Sequence, residues 1–72
     1  METSDILLAR HRFLERHPEV VSLLRAISPR HAGAAGLSLE AFQEQELDRA
    51  ISKSARQQRL TTEQFLQQLL MD

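Results

Sequence analysis

The chain has 72 residues and therefore forms one domain at most. Its 42 % of apolar and 26 % of charged residues are ordinary for a globular protein and exclude an intrinsically disordered chain. The net charge of −1 gives no overall field toward nucleic acid or acidic lipid, and the absence of cysteine excludes disulfides and thiolate metal sites.

The first predicted helix begins near Thr3 or Ser4, whose hydroxyls can cap the free N–H groups of the first turn. Its apolar face comprises Ile6, Ala9, Phe13 and Leu14, with Leu7 at the edge. The opposite face comprises Arg12, Glu15 and Arg16.

Pro18 interrupts this helix but is favourable at the first position of a second one. Residues 4–27 therefore predict two helices, with a single kinked helix as the alternative. The apolar stripe of the second helix is Val20, Leu23, Leu24 and Ile27.

Residues 28–37 carry the loop signals of the chain, because both glycines and one of the two prolines lie there. Pro29 disfavours helical geometry at Ser28. We expect this segment to be the longest connection in the protein and its most mobile part.

A repeated pattern marks two helix starts in the second half of the chain. Residues 37–42 and 60–65 share one pattern: Leu, a hydroxyl residue, any residue, Glu, any residue and Phe. Ser38 and Thr61 are predicted N-caps, flanked by the leucine and phenylalanine of a hydrophobic staple, and Thr61 with Gln64 completes a capping box. Internal duplication is the less favoured explanation, because the resemblance ends at the phenylalanine.

The third predicted helix runs from Leu39 to about Gln58, and the fourth runs from Thr62 to about Met71. Their predicted core positions are Leu39, Phe42, Leu47, Ala50, Ile51, Ala55, Phe65, Leu66, Leu69 and Leu70. The connection between these helices is only two or three residues long, so we expect them to be antiparallel neighbours.

The predicted fold is all-α, because strand signals are nearly absent and the chain has no tyrosine or tryptophan. We expect one domain, residues 1–72, built as a small bundle of about four short helices. Two helical hairpins, 4–27 and 38–71, are joined by the loop 28–37. The acidic N-terminal residues are unlike a secretory signal, and no apolar run approaches the roughly 20 residues that span a bilayer. We expect a cytoplasmic protein, bacterial in style, with no membrane segment.

Basic residues form a stripe on the second half of the third helix, away from the core: Arg49, Lys53, Arg56 and Arg59. Such a stripe suits phosphate or an acidic protein. The favoured explanation is that the charges follow the helix dipole, since the same helix begins with acidic residues. A small DNA-binding transcriptional regulator that uses this stripe is the alternative function. The fourth helix would then be the recognition helix, but it has no lysine or arginine to contact bases.

No pattern in the chain indicates catalysis. The histidines, His11, His17 and His31, have no familiar metal-ligand spacing, and neither a glycine-rich phosphate loop nor a meaningful Ser-His-Asp arrangement occurs. A chain of this length has few residues left to wall a substrate pocket. We expect no enzymatic activity, no cofactor and no metal.

The chain has more apolar residues than a bundle of this size readily covers, and a large exposed apolar patch usually marks an interface. The predicted protein-binding ridge consists of Phe65, Leu66, Leu69, Leu70 and Met71, together with Leu8. These side chains predict a non-enzymatic protein–protein interaction module, namely a regulator, adaptor or inhibitor of a larger protein, or a homodimer. Burial of the ridge in the protein's own core is the third possibility.

Overall fold

A computed structural model describes residues 2–71, which form five α-helices and no strand. The helices are α1 (Thr3–Arg16), α2 (Pro18–Ala26), α3 (Pro29–Ala34), α4 (Leu39–Gln57) and α5 (Thr62–Met71). The predicted all-α bundle is confirmed. None of the helices among these residues is both long enough and apolar enough to cross a membrane.

The break between the first two helices lies at His17, which has φ −129° and ψ 71°. Pro18 takes the first position of α2, so the prediction of two separate helices is confirmed. The predicted cap of α1 is wrong. Thr3 and Ser4 are already helical, and a capping hydroxyl must come from the extended residue before the helix. That residue is Glu2, whose side chain makes no capping hydrogen bond.

The segment 28–37, predicted as a loop, contains the helix α3. Ser28 is extended, with φ −90° and ψ 156°, and the geometry that a following proline imposes is also that of an N-cap. Its Oγ accepts a hydrogen bond from the His31 backbone N–H at 3.4 Å, and its own N–H donates to His31 Nδ1 at 3.4 Å. Pro29 therefore starts a helix here, and Ala32 in that helix is buried.

Helices α3 and α4 end in the same way. The backbone N–H groups of Leu37 and Leu60 each donate at 2.9 Å to the carbonyl five residues earlier. The residue before each leucine is left-handed, with φ 73° at Gly36 and 59° at Arg59. This pattern is the Schellman motif, which satisfies carbonyls at a helix end.

Each of these two turns leads directly into the N-cap of the next helix. Ser38 Oγ accepts from the Ala41 N–H at 3.2 Å. Thr61 Oγ1 accepts from the Gln64 N–H at 3.1 Å, while Gln64 Oε1 accepts from the Thr61 N–H at 3.0 Å. Both predicted caps and the predicted capping box are confirmed.

The core lies between α1, α4 and α5. Its buried residues are Ala9, Phe13, Leu47, Ile51, Ala55, Phe65 and Leu69. The rings of Phe13 and Phe65 meet edge to face, with centroids 6.0 Å apart. Helix α5 packs against both α1 and α4, whereas α2 and α3 pack against α4. The most extensive pairing is that of α1 with α5, so the first and last helices hold the two hairpins together.

Candidate functional site

The predicted ridge on α5 lies mostly in the core. Phe65 and Leu69 are only 5 % and 4 % exposed, and Leu66 and Leu70 are half-buried against the same core. Of the ridge residues on α5, Met71 alone is well exposed, at 85 %. The apolar face of α5 is wide because this helix packs on two neighbours, α1 and α4. Phe65 and Leu69 are therefore core residues, as the apolar pattern of this helix predicted, and of the three possibilities for the ridge it is burial in the protein's own core that applies to them.

Exposed apolar side chains lie instead on other helices. Leu8 is exposed on α1, next to Leu7, which is 59 % exposed. On α2, Leu23 is 55 % exposed. None of the residues of α2, all of which the structure describes, is buried, although their apolar stripe was expected to face the core. Helix α2 thus leaves part of its apolar face uncovered.

The uncovered face of α2 borders an open groove, which we call the α2–α4 groove. Its lining residues are Phe13, His17, Glu19, Val20, Leu23, Glu46, Arg49, Ala50, Lys53, Ser54 and Gln57. Phe13 is fully buried and lies beneath the groove. Val20 and Ala50 are half-buried on either side, and Leu23 stands exposed beside them. An apolar strip therefore runs along the groove between charged and polar rims.

His17 connects the groove to the break between α1 and α2. Its ring centroid lies 4.4 Å from that of Phe13, and its Nδ1 lies 3.0 Å from Glu19 Oε1, where a ring N–H donates to the carboxylate. The pKa of Glu19 is lowered, first by a hydrogen bond from its own backbone N–H and then by the bond from His17. Glu19 is therefore an ionised group at neutral pH.

The charges on the rim are unevenly matched. The Glu46 carboxylate forms an ion pair with Arg49, which donates to it at 3.2 Å, and the Glu19 carboxylate accepts a hydrogen bond from the His17 ring. The side chain of Lys53 is exposed and forms no ion pair or hydrogen bond within residues 2–71. Both carboxylates on the rim thus have partners, whereas the ammonium group of Lys53 has none among these residues.

Residues 1–72 match a protein family described as a family of unknown function, DUF6388. The chain belongs to this family. No curated protein and no solved structure matches it.

The predicted basic stripe lies on the exposed side of α4, but acidic residues lie among its members. Arg49, Lys53 and Arg56 share an open face with Glu44 and Asp48. Asp48 accepts a hydrogen bond from Arg10 of α1, and Arg59 lies beyond the end of α4 in the left-handed turn. This face therefore carries both signs of charge rather than one continuous cationic surface.

The histidines have local partners. His11 Nε2 lies 2.7 Å from Glu15 Oε1 on the same helix, and His31 belongs to the capping box of α3. Among residues 2–71, no three His, Asp or Glu side chains come together in a way that would hold a metal ion.

The α2–α4 groove contains residues that were predicted to lie elsewhere. Leu23 was predicted in a core stripe, and Lys53 only in the basic stripe. One available signal was the length of α2, whose nine residues begin at Pro18 and end before Pro29. Such a short helix can cover only part of a four-residue apolar stripe, but the position left uncovered depends on how α2 packs against α4.

Proposed function

We propose that this chain is a small, non-enzymatic cytoplasmic module that binds an apolar segment of a larger protein in the α2–α4 groove. As an adaptor, regulator or inhibitor it needs a shaped apolar surface and a polar rim, and no catalytic group. The observation that carries the proposal is the exposure of Leu23, 55 %, next to the half-buried apolar side chains of Val20 and Ala50.

The energetics favour a partner here. Completing the burial of a leucine of this kind contributes on the order of 1 kcal/mol, and an apolar side chain from the partner contributes about 1.5–3 kcal/mol when it is fully buried. Interfaces commonly depend on a few such anchors at the centre, with polar residues around them. Because Val20 and Ala50 pack against the core, this apolar surface is already formed before a partner binds, and little ordering is required.

Leu7 provides a matched comparison for Leu23. The two leucines are similarly exposed, but Leu7 lies on α1 and does not line the groove. If non-specific hydrophobic attraction to exposed leucines were responsible for binding, Leu7→Asp and Leu23→Asp would weaken the affinity for the partner to a similar extent. A groove-specific interaction depends on Leu23 alone.

The experiment is a selection of random linear peptides displayed on phage against the immobilised protein, followed by fluorescence anisotropy with the selected peptides. We expect Leu23→Asp to weaken binding by at least about tenfold, equivalent to about 1.4 kcal/mol, and Leu7→Asp to leave it unchanged. Thermal unfolding by circular dichroism checks that both variants fold. If no selected peptide depends on Leu23, the groove is not a binding site.

Two other interactions have distinct signatures. A homodimer through the groove would appear in light scattering as a doubled mass that Leu23→Asp reduces, and a second copy would then replace the larger protein as the occupant. Nucleic-acid binding through Arg49, Lys53, Arg56 and Arg59 would weaken steeply with salt and would not require Leu23. Apolar docking responds little to salt.

A further inference from the structure

We infer that the segment bound in the α2–α4 groove carries a carboxylate next to its apolar anchor, and that Lys53 receives this carboxylate. The inference rests on the proposed function and specifies the chemistry of the partner: an apolar side chain followed or preceded by aspartate or glutamate.

Both carboxylates on the rim of the groove already accept hydrogen bonds from neighbouring side chains. Glu46 accepts from Arg49 at 3.2 Å, and Glu19 accepts from His17 at 3.0 Å. A partner's lysine or arginine would have to share a carboxylate that already has a donor. Within the described residues, Lys53 is the groove-lining cation without such a partner. The rim is therefore complementary to an incoming negative charge.

Docking strengthens this preference. When an apolar segment covers Ala50 and Leu23, it removes water from the neighbouring rim, and a charge pair gains strength as the surrounding dielectric constant falls. A neutral or basic residue opposite Lys53 would leave its ammonium group partly desolvated and unmatched, which is unfavourable. The groove therefore selects acidic segments and discriminates against basic ones.

Arg56 provides the control for Lys53. Both are exposed cations on α4, but Arg56 does not line the groove. A general electrostatic attraction between the protein and an acidic peptide would respond equally to a charge reversal at either position. A specific pairing in the groove depends on Lys53 much more than on Arg56.

The experiment uses the peptides obtained by display selection and measures their affinity by anisotropy for Lys53→Glu, Arg56→Glu and the unaltered protein. We expect the selected peptides to be enriched in aspartate or glutamate next to a large apolar residue. We expect Lys53→Glu to weaken their binding about tenfold and Arg56→Glu to weaken it less than about twofold. Replacement of the peptide's carboxylate by lysine should restore binding to Lys53→Glu.

Failure of this inference is distinguishable from failure of the proposed function. If peptides bind in a Leu23-dependent way but show no acidic preference and bind Lys53→Glu normally, the inference is wrong and the groove remains a binding site. Equal losses with Lys53→Glu and Arg56→Glu, or no rescue by the peptide lysine, also overturn it. If no peptide binds in a way that depends on Leu23, both the proposed function and this inference are wrong.

Discussion

The guanidinium of Arg12 on α1 donates a hydrogen bond at 2.7 Å to the backbone carbonyl of Leu69, near the end of α5. The same nitrogen lies 2.8 Å from the carbonyl oxygen of Leu70. The last carbonyls of a helix lack partners within it, and a cation is favourable at this negative end of the helix dipole. The last turn of α5 contains no basic residue, so α1 supplies the cation that caps it.

We predict that Arg12→Met lowers the free energy of unfolding by about 1–2 kcal/mol, because it leaves part-buried carbonyls of α5 without their charged donor. Methionine retains most of the apolar stem, so the loss reports mainly on the hydrogen bonds. For a domain of this size the midpoint of thermal unfolding should fall by about 4–8 °C per kcal/mol. Arg25→Met, at an exposed position of α2, is the control and should change the midpoint little. Equal stability of the two variants would contradict the capping role.

Substitutions at Phe65 and Met71 compare a buried position of α5 with an exposed position of the same helix. We predict that Phe65→Ala destabilises the fold by about 3–5 kcal/mol, since it leaves a cavity and removes the edge-to-face contact with Phe13. Met71→Ala, on the same helix but exposed, should change stability by less than about 0.5 kcal/mol. Urea denaturation of both variants provides the measurement. A Phe65→Ala protein as stable as the unaltered one would place Phe65 outside the core.

The two glycines should respond oppositely to alanine. Gly36 has φ 73°, where a Cβ is unfavourable, so Gly36→Ala should destabilise by about 1 kcal/mol or more. Gly33 lies within α3, where a Cβ would meet nothing within 4 Å, so Gly33→Ala should stabilise by about 0.5–1 kcal/mol. Chemical denaturation of the two variants checks the signs, and a stabilising Gly36→Ala would exclude the Schellman motif at the end of α3.

Arg59 is the non-glycine counterpart of Gly36. Because its φ of 59° is costly for a residue with a Cβ, Arg59→Gly should raise the free energy of unfolding by about 0.5–1 kcal/mol. Gln58→Gly, at the neighbouring C-cap position with φ −94°, should give no such gain and serves as the control. The same denaturation experiment is decisive, and a clear loss of stability in Arg59→Gly would show that the arginine side chain has a structural role.

Glu19 should make stability depend on pH. Its folded-state pKa is lowered, so its ionised form stabilises the fold at pH values above the unfolded pKa, and this contribution is lost as the pH falls through the folded pKa. Glu19→Gln should therefore be less stable than the unaltered protein at neutral pH, and the difference should shrink on acidification. His17→Ala should raise the Glu19 pKa toward its ordinary value in a titration followed by NMR. If the difference in stability instead grew on acidification, the folded-state pKa of Glu19 would not be lowered.

Local chemistry accounts for the parts of the fold that the sequence predicts well. The starts of α4 and α5 follow from Ser38 and Thr61, since a capping hydroxyl acts within its own turn. The break before Pro18 is equally local. Helix α3 was missed because Pro29 is compatible with two structures, and its helical role required the unusual pairing of Ser28 with a histidine.

The parts that were predicted wrongly depend on contacts between distant segments. Periodicity places Arg12 on the solvent side of α1, yet it reaches carbonyls of α5. A wide apolar face on α5 is expected both for a helix that packs on two neighbours and for a helix that binds another protein. Sequence alone therefore did not distinguish core from interface at Phe65 and Leu69. The exposure of Leu23 likewise arises from how little of α2 is covered by α4.

The most direct test of binding in the α2–α4 groove is chemical-shift mapping of the isotope-labelled protein titrated with a peptide from the display selection. We predict that the largest perturbations occur at Val20, Leu23, Ala50 and Lys53, on both walls of the groove, with little change at Leu8 and Met71. Perturbations concentrated at Leu8 and Met71, or along the neighbouring face at Arg56, with none at Leu23, would contradict binding in the groove.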